Sequence, residues 1–173
     1  MSYINSAQQI YVQTYEVGEL FTLYFGIVAA ALAASAITNS RLVGRLGMRK
    51  IGHTAMVGYA AVGILHLAAE SVWSPLPLPA FIGMMMAQLF CFGMIMPNYN
   101  SLAMEPMGRI AGTASSFVGA ATTAIAATLG WVIGQAYDGT AWPMALGYAL
   151  FGVGGVLLTL ITERGRMFRA GEG

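Results

Sequence analysis

The chain has 173 residues, 57% of them hydrophobic and only 9% charged, with a formal net charge of +1. Soluble domains carry about 25% charged residues, and a charge near the bilayer centre costs roughly 2.5–3.5 kcal/mol on insertion scales. The composition therefore excludes an ordinary water-soluble domain, and the balanced charge gives nucleic acid nothing to bind.

In chain order, residues 1–15 lack the basic start and small-residue cleavage site of a secretory leader. Residues 3–14 are moderately apolar but too few to span; they read as the outer end of a helix whose beginning is missing. A spanning helix needs about 20 mostly apolar residues. Five stretches meet that length: residues 20–38, 52–69, 79–97, 110–135 and 144–161. The connections are short, so neighbouring spans are antiparallel. No linker divides the chain, and residues 1–173 read as one domain or one piece of a domain. The expected fold class is all-α, an integral membrane helical bundle. The single Cys91 lies in an apolar run and excludes a disulfide framework within the chain.

All eight Lys and Arg residues fall on one side of such a bundle. They are Arg41, Arg45, Arg49 and Lys50, then Arg109, then Arg164, Arg166 and Arg169. The segments that must face the other way carry acids instead: Glu16, Glu19 and Asp138, with Glu70 at their edge. Cytoplasmic loops collect Lys and Arg. The chain thus reads as a multi-pass protein of the cell membrane (plasma or inner), with its N-terminus outside and its C-terminus cytoplasmic.

The fourth span is rich in small residues. Gly112, Ser116, Ala120, Ala124 and Thr128 recur every four residues, and Ser115, Gly119, Thr123 and Ala127 form a column beside them. Residues four apart share a helix face, so one broad face is nearly flat and suits tight helix–helix packing. Residues 29–36 make a similar run in the first span, and Gly147, Gly152, Gly154 and Gly155 one in the fifth.

Two segments carry a family resemblance. Residues 39–50 form a basic, Gly-punctuated connection similar to the conserved loop of major facilitator superfamily transporters, through Arg45, Gly47, Arg49 and Lys50. Ser40 stands for the motif's leading Gly and Gly44 for its Asp, a degenerate form found in the second half of such transporters. Residues 96–116 resemble the tenth-to-eleventh helix junction of the bicyclomycin- and chloramphenicol-resistance (Bcr/CflA) branch of multidrug efflux proteins. Pro97, Asn98, Ala103, Glu105, Pro106 and the run Ala111, Gly112, Thr113, Ala114, Ser115 carry that match. Arg109 stands where the branch often has His.

The resemblance implies a twelve-helix fold in two halves, both termini cytoplasmic. The five spans become helices eight to twelve, residues 3–14 become the end of helix seven, and the chain is the C-terminal part. The implied function is proton-coupled efflux of a small apolar or amphipathic drug. The implied partners are the lipid bilayer and the absent N-terminal half, which holds the proton-coupling residues; transport by this chain alone is therefore not expected. No cofactor and no metal are expected.

By the same resemblance the third span lines a central cavity. Gln88, Met84, Met85 and Phe92 are its candidates: Met suits surfaces that accept varied apolar ligands, and Gln88 is the span's strongly polar side chain near mid-membrane, where polar groups face the bundle interior. Arg41, Arg45, Gly47, Arg49, Lys50, Glu105 and Arg109 are candidates for a cytoplasmic gate, against a simpler role in anchoring to anionic headgroups. Glu105 and Arg109 are spaced to pair locally or to answer the basic loop, but an exposed pair is worth only about 0–1 kcal/mol, so a solvated loop is the favoured reading. Pro97 and Asn98 are expected to end the third span, Pro lacking a backbone donor. His66 and Glu70, four apart, have the spacing of a metal or proton relay, but a position near the outer interface favours a structural reading. His53 reads as interfacial. No hydrolase triad, P-loop or Cys-rich metal site is present in the sequence, so an enzyme is not expected. The rival to the transporter is a free-standing five-span protein with a structural or assembly role, pairing through its flat fourth span.

Overall fold

The structure, a computed structural model, describes residues 6–165, 167 and 168. Arg166, Arg169 and Tyr3, which entered the charge and helix expectations above, lie outside the described residues. The fold is an all-α bundle. Five long α-helices follow one another: α1 (Phe21–Leu46), α2 (Met48–Val72), α3 (Leu78–Met104), α4 (Ala111–Gln135) and α5 (Trp142–Thr162). A short π-helical segment, Gln9–Thr14, precedes them.

Four continuous helical stretches are long and apolar enough to cross a membrane: Gly18–Leu46, Met48–Val72, Leu78–Gln135 and Trp142–Thr162. The third, of 58 residues, would be about 87 Å long if straight, far beyond a hydrocarbon core of about 30 Å. It is two α-helices, α3 and α4, joined by the 3-10 segment Glu105–Ile110 and bent at Gly108, whose φ of 47° and ψ of −119° are not helical. Large apolar side chains point outward along several helices, among them Leu65, Phe117, Leu150 and Leu158. Soluble monomers rarely expose so much apolar surface; a bilayer accommodates it.

All the long helices except α4 run past the apolar stretches that announce them. α1 has 26 residues, about 39 Å, and extends through Asn39, Ser40, Arg41 and Arg45. The expected basic loop is therefore mostly helix. It breaks only at Gly47, with φ 79° and ψ 153°, a left-handed backbone that favours glycine. Pro97 does not end its helix either: α3 continues to Met104. Pro97 has no N–H for the Gly93 carbonyl. One residue on, the Asn98 side-chain amide donates to the Met94 carbonyl (2.7 Å) and to Asn39 Oδ1 (2.6 Å), tying α3 to α1 across a buried contact.

Glycine and serine set the close crossings. A Cβ on Gly152 of α5 would lie 2.6 Å from the Ala60 Cα of α2, and one on Gly63 of α2 would lie 2.9 Å from the Tyr148 and Ala149 backbone. Gly93 of α3 faces the Ser35 hydroxyl of α1 so closely that no Cβ fits. These contacts stack α5 on α2 and α3 on α1, and Gly52 and Gly58 of α2 lie against Tyr99 and Cys91 of α3. α4 stands apart, touching α3 and α5 at few places.

The N-terminal segment is not a loose overhang. Ala7, Ile10 and Tyr11 are buried in the main core with Val28, Phe81, Met85 and Met144. Thr14 bonds the Tyr137 hydroxyl at 2.7 Å and donates to the Gly139 carbonyl at 2.9 Å, fastening this segment to the α4–α5 connection.

Candidate functional site

The bundle has two chemically different ends. At one, Arg49 Nη1 meets Glu163 Oε1 at 2.6 Å, and its Nη2 lies 3.8 Å from Glu105 Oε2. That convergence brings the start of α2, the end of α3 and the end of α5 together. Arg41, Arg45, Lys50, Arg109 and Arg164 sit at the same helix ends and are exposed. Glu105 thus answers the basic connection rather than Arg109, which forms no ion pair among the described residues. Glu163 was missed in sequence because it sits 114 residues from Arg49, beyond any local spacing.

His53 lies at this end and is buried between helices, with 2% exposure. Its Nε2 is 3.7 Å from Glu163 Oε1, and its Nδ1 accepts the Phe168 backbone N–H at 3.3 Å. The opposite end carries no Lys or Arg among the described residues; Glu16, Glu19 and Asp138 are exposed there. Asp138 Oδ1 accepts from the Thr140 hydroxyl (2.6 Å) and backbone N–H (3.0 Å), which hold its carboxyl below the usual range.

Between the ends lies a cavity of about 570 Å³ bordered by all five helices. Its walls are almost wholly apolar: Phe25 and Leu32 from α1, Met56 from α2, Leu89 and Phe92 from α3, Ile125 and Leu129 from α4, Phe151 from α5. Gln88 is the amide among them. It is 1% exposed, its Nε2 donates weakly to the Tyr59 carbonyl at 3.4 Å, and its Oε1 has no partner. An apolar pocket of this size with a spare acceptor matches the general character of small-molecule sites.

Two of the four cavity candidates are in the wall and two are not. Gln88 and Phe92 line it; Met84 and Met85 do not. Met85 is fully buried in the main core. The reason is helical: Met85 shares the inward face of Phe81 and Gln88, but nearer the helix start, where the N-terminal segment fills the space. Periodicity alone could not reveal that plug.

The small-residue column of α4 has an unexpected environment. Gly112, Ser116, Ala120 and Ala124 are exposed, and nothing lies within 4 Å of a Cβ built on Gly112 or Gly119. Among the described residues no helix packs on that face. Ser115 and Ser116 hydroxyls turn back to the Gly112 carbonyl, and Thr128 to that of Ala124.

Comparison with protein-family models, curated proteins and solved structures finds no match. The functional reading therefore rests on the residues and their geometry.

Proposed function

We propose that the chain is the C-terminal portion of a membrane transporter of the major facilitator type, in the drug-efflux branch. In it the cavity around Gln88 is half of a binding site for a small apolar or amphipathic molecule. The observation that carries this is the pairing of that cavity with the bare face of α4. A single spare acceptor in an apolar wall orients a ligand without demanding one shape. A broad face of Gly, Ala, Ser and Thr suits close approach of another helix better than contact with lipid tails. Central sites between two rocking bundles are a general transporter arrangement. Under this reading the covering bundle is the N-terminal half, and the Arg49–Glu105–Glu163 cluster belongs to the cytoplasmic gate. The residues that match the family's motifs, from Arg45 to Lys50 and from Pro97 to Ser115, support the same reading.

The rival remains a free-standing membrane protein that pairs through α4 for a structural purpose, and one experiment separates them. Expressed alone in a drug-sensitive host, the chain confers no resistance above vector; joined in frame to the six or seven helices expected upstream, it does. Resistance from the chain alone overturns the fragment reading. None from the joined, membrane-inserted protein overturns the transporter reading.

A further inference from the structure

The end of the bundle that lacks basic residues buries an acid and an imidazole. His66 and Glu70 lie one turn apart on α2 with fully buried side chains, His66 Nε2 4.0 Å from Glu70 Oε1. Among the described residues none of the four polar atoms of the pair has a hydrogen-bond partner within 3.5 Å in good geometry. They continue the inward stripe of α2 that begins with Gly52, Ala55 and Gly63. The pair lies near the end of α2 and is enclosed by the bundle rather than exposed.

Among the described residues the surroundings offer no other counter-charge. The Phe81 ring of α3 packs edge-on against the imidazole, with centroids 5.7 Å apart. α3 and α5 contain no Asp, Glu, Lys, Arg or His, and the basic residues of α1, Arg41 and Arg45, sit at its far end. Ser74 and the Leu76 backbone, from the α2–α3 turn, are the hydrogen-bonding groups that face the Glu70 carboxyl. From the N-terminal segment come Tyr15 and, beyond it, Tyr11; Glu16 and Glu19 there are exposed and of like sign. Burial first, then the Glu70 carboxyl, push the Tyr15 hydroxyl above its ordinary range, so it stays protonated. Tyr24 of α1, Tyr59 of α2, Tyr137 of the α4–α5 connection and Tyr148 of α5 are the other titratable groups of this core among the described residues.

An uncompensated charge in such a place is strongly disfavoured. With no proton the pair carries one negative charge, and with two it carries one positive charge. With one proton it is neutral, as carboxylic acid plus imidazole or as carboxylate plus imidazolium. Among the described residues no group of three His, Cys, Asp or Glu side chains is placed to hold a metal ion, and a proton needs no such set. We infer that His66 and Glu70 form a proton-binding site that holds one proton between them, exchanged through the adjacent turn at residues 73–77. The i, i+4 placement lets either side chain reach the other by a modest rotation. The inference is independent of the transport reading: it needs only the burial and isolation of the pair.

The test counts protons in the full chain in detergent micelles. The chain has two His, so ring-nitrogen resonances of labelled protein give one signal set for His66 once His53→Gln has removed the other. Infrared absorption reports any carboxylic acid that survives at neutral pH. The expected result is one of the two signatures and not both: imidazolium at His66, or a protonated carboxyl lost in Glu70→Gln. Both signatures, or neither, overturn the site. In variants, His66→Gln retains a protonated carboxyl at neutral pH, and Glu70→Gln holds a neutral imidazole. An ionised Glu70 in His66→Gln, or an imidazolium in Glu70→Gln, overturns it equally. If either variant fails to fold, the wild-type count decides alone.

Discussion

Gly152 of α5 rests directly on Ala60 of α2, with room for a hydrogen but not a methyl group: a Cβ at Gly152 would fall 2.6 Å from the Ala60 Cα and 3.1 Å from its backbone nitrogen. Backbone cannot move aside as a flexible side chain can. In membranes such close approach is a main source of helix association, since lipid and side chains are equally apolar.

Gly152→Ala is therefore expected to lower stability by about 1–3 kcal/mol, the usual cost of overpacking. Gly154→Ala is the control. Nothing lies within 4 Å of its Cβ position, and alanine is the better helix former by about 0.5–1 kcal/mol, so it should be neutral or stabilising. Thermal midpoints in one mild detergent compare the two. A larger loss for Gly154→Ala would mean that the α2–α5 contact is wrongly placed.

Two residues of α3 seven positions apart should respond unequally to truncation. Met85 is fully buried, and Met→Ala in a core costs about 2–5 kcal/mol. Phe92 lines the cavity and is 42% exposed, so Phe92→Ala should cost about 1 kcal/mol or less, in the range of surface changes. Instead it should alter binding of apolar ligands in the intact protein. Equal destabilisation by the two variants would place Phe92 in the core and remove it from the cavity wall.

The Arg49 cluster is expected to matter unequally among the basic residues. Arg49 Nη1 is held at 2.6 Å by Glu163, whose side chain is 21% exposed, whereas Arg45 and Lys50 are exposed without ion pairs among the described residues. Arg49→Gln should cost about 1 kcal/mol, between an exposed ion pair and a charge-assisted hydrogen bond. Arg45→Gln and Lys50→Gln should be near neutral. Glu163→Gln should resemble Arg49→Gln more than Glu105→Gln does, because the Glu105 contact is 3.8 Å long. Urea or thermal unfolding in detergent gives the ranking, and a largest loss for Lys50→Gln would contradict it.

How much of this was legible in the sequence depends on range. Helix existence followed from apolar length alone, and the one-sided placement of Arg41, Arg45, Arg49 and Lys50 followed from alternation of the spans. Helix ends did not, because hydropathy marks what lies in lipid while α1 and α3 keep their backbone hydrogen bonds for several residues beyond it. Pro97 misled for a related reason: its lost hydrogen bond is a local cost that the Asn98–Asn39 contact, 59 residues apart, helps to offset. Gln88 was readable as a lone polar group in an apolar span. The inward direction of His66 and Glu70 was present in the spacing from Gly63, but the pair's position near a helix end suggested an interface. The docked N-terminal segment, which converts that end into core, has no signal in α2 itself.

Topology has its own check. A reporter enzyme fused after Gly173 is expected to act in the cytoplasm, and one inserted at residues 73–77 on the other face, because Lys and Arg govern orientation. The reverse pair of results would invert the bundle and put the Arg49 cluster outside.

The last expectation separates what this chain does alone from what it does when covered. Ala120 lies in the exposed small column with Gly112, Ser116 and Ala124, whereas Ala121 is half-buried, on the side of α4 that carries Phe117 and Ile125 at four-residue spacing. One residue turns a helix by about 100°, so the two alanines face different surroundings. In the chain alone Ala120→Leu meets no neighbouring helix and should leave yield and monodispersity unchanged. In the full-length protein a second bundle would lie against that column, and the same substitution should cost about 1–3 kcal/mol through overpacking. Ala121→Leu should behave alike in both settings. The measurement is the fraction of monodisperse protein recovered in mild detergent from each of the four preparations. A loss for Ala120→Leu in the chain alone would mean that α4 packs this face on the chain's own helices. No loss in the full-length protein would mean that the covering bundle approaches some other face.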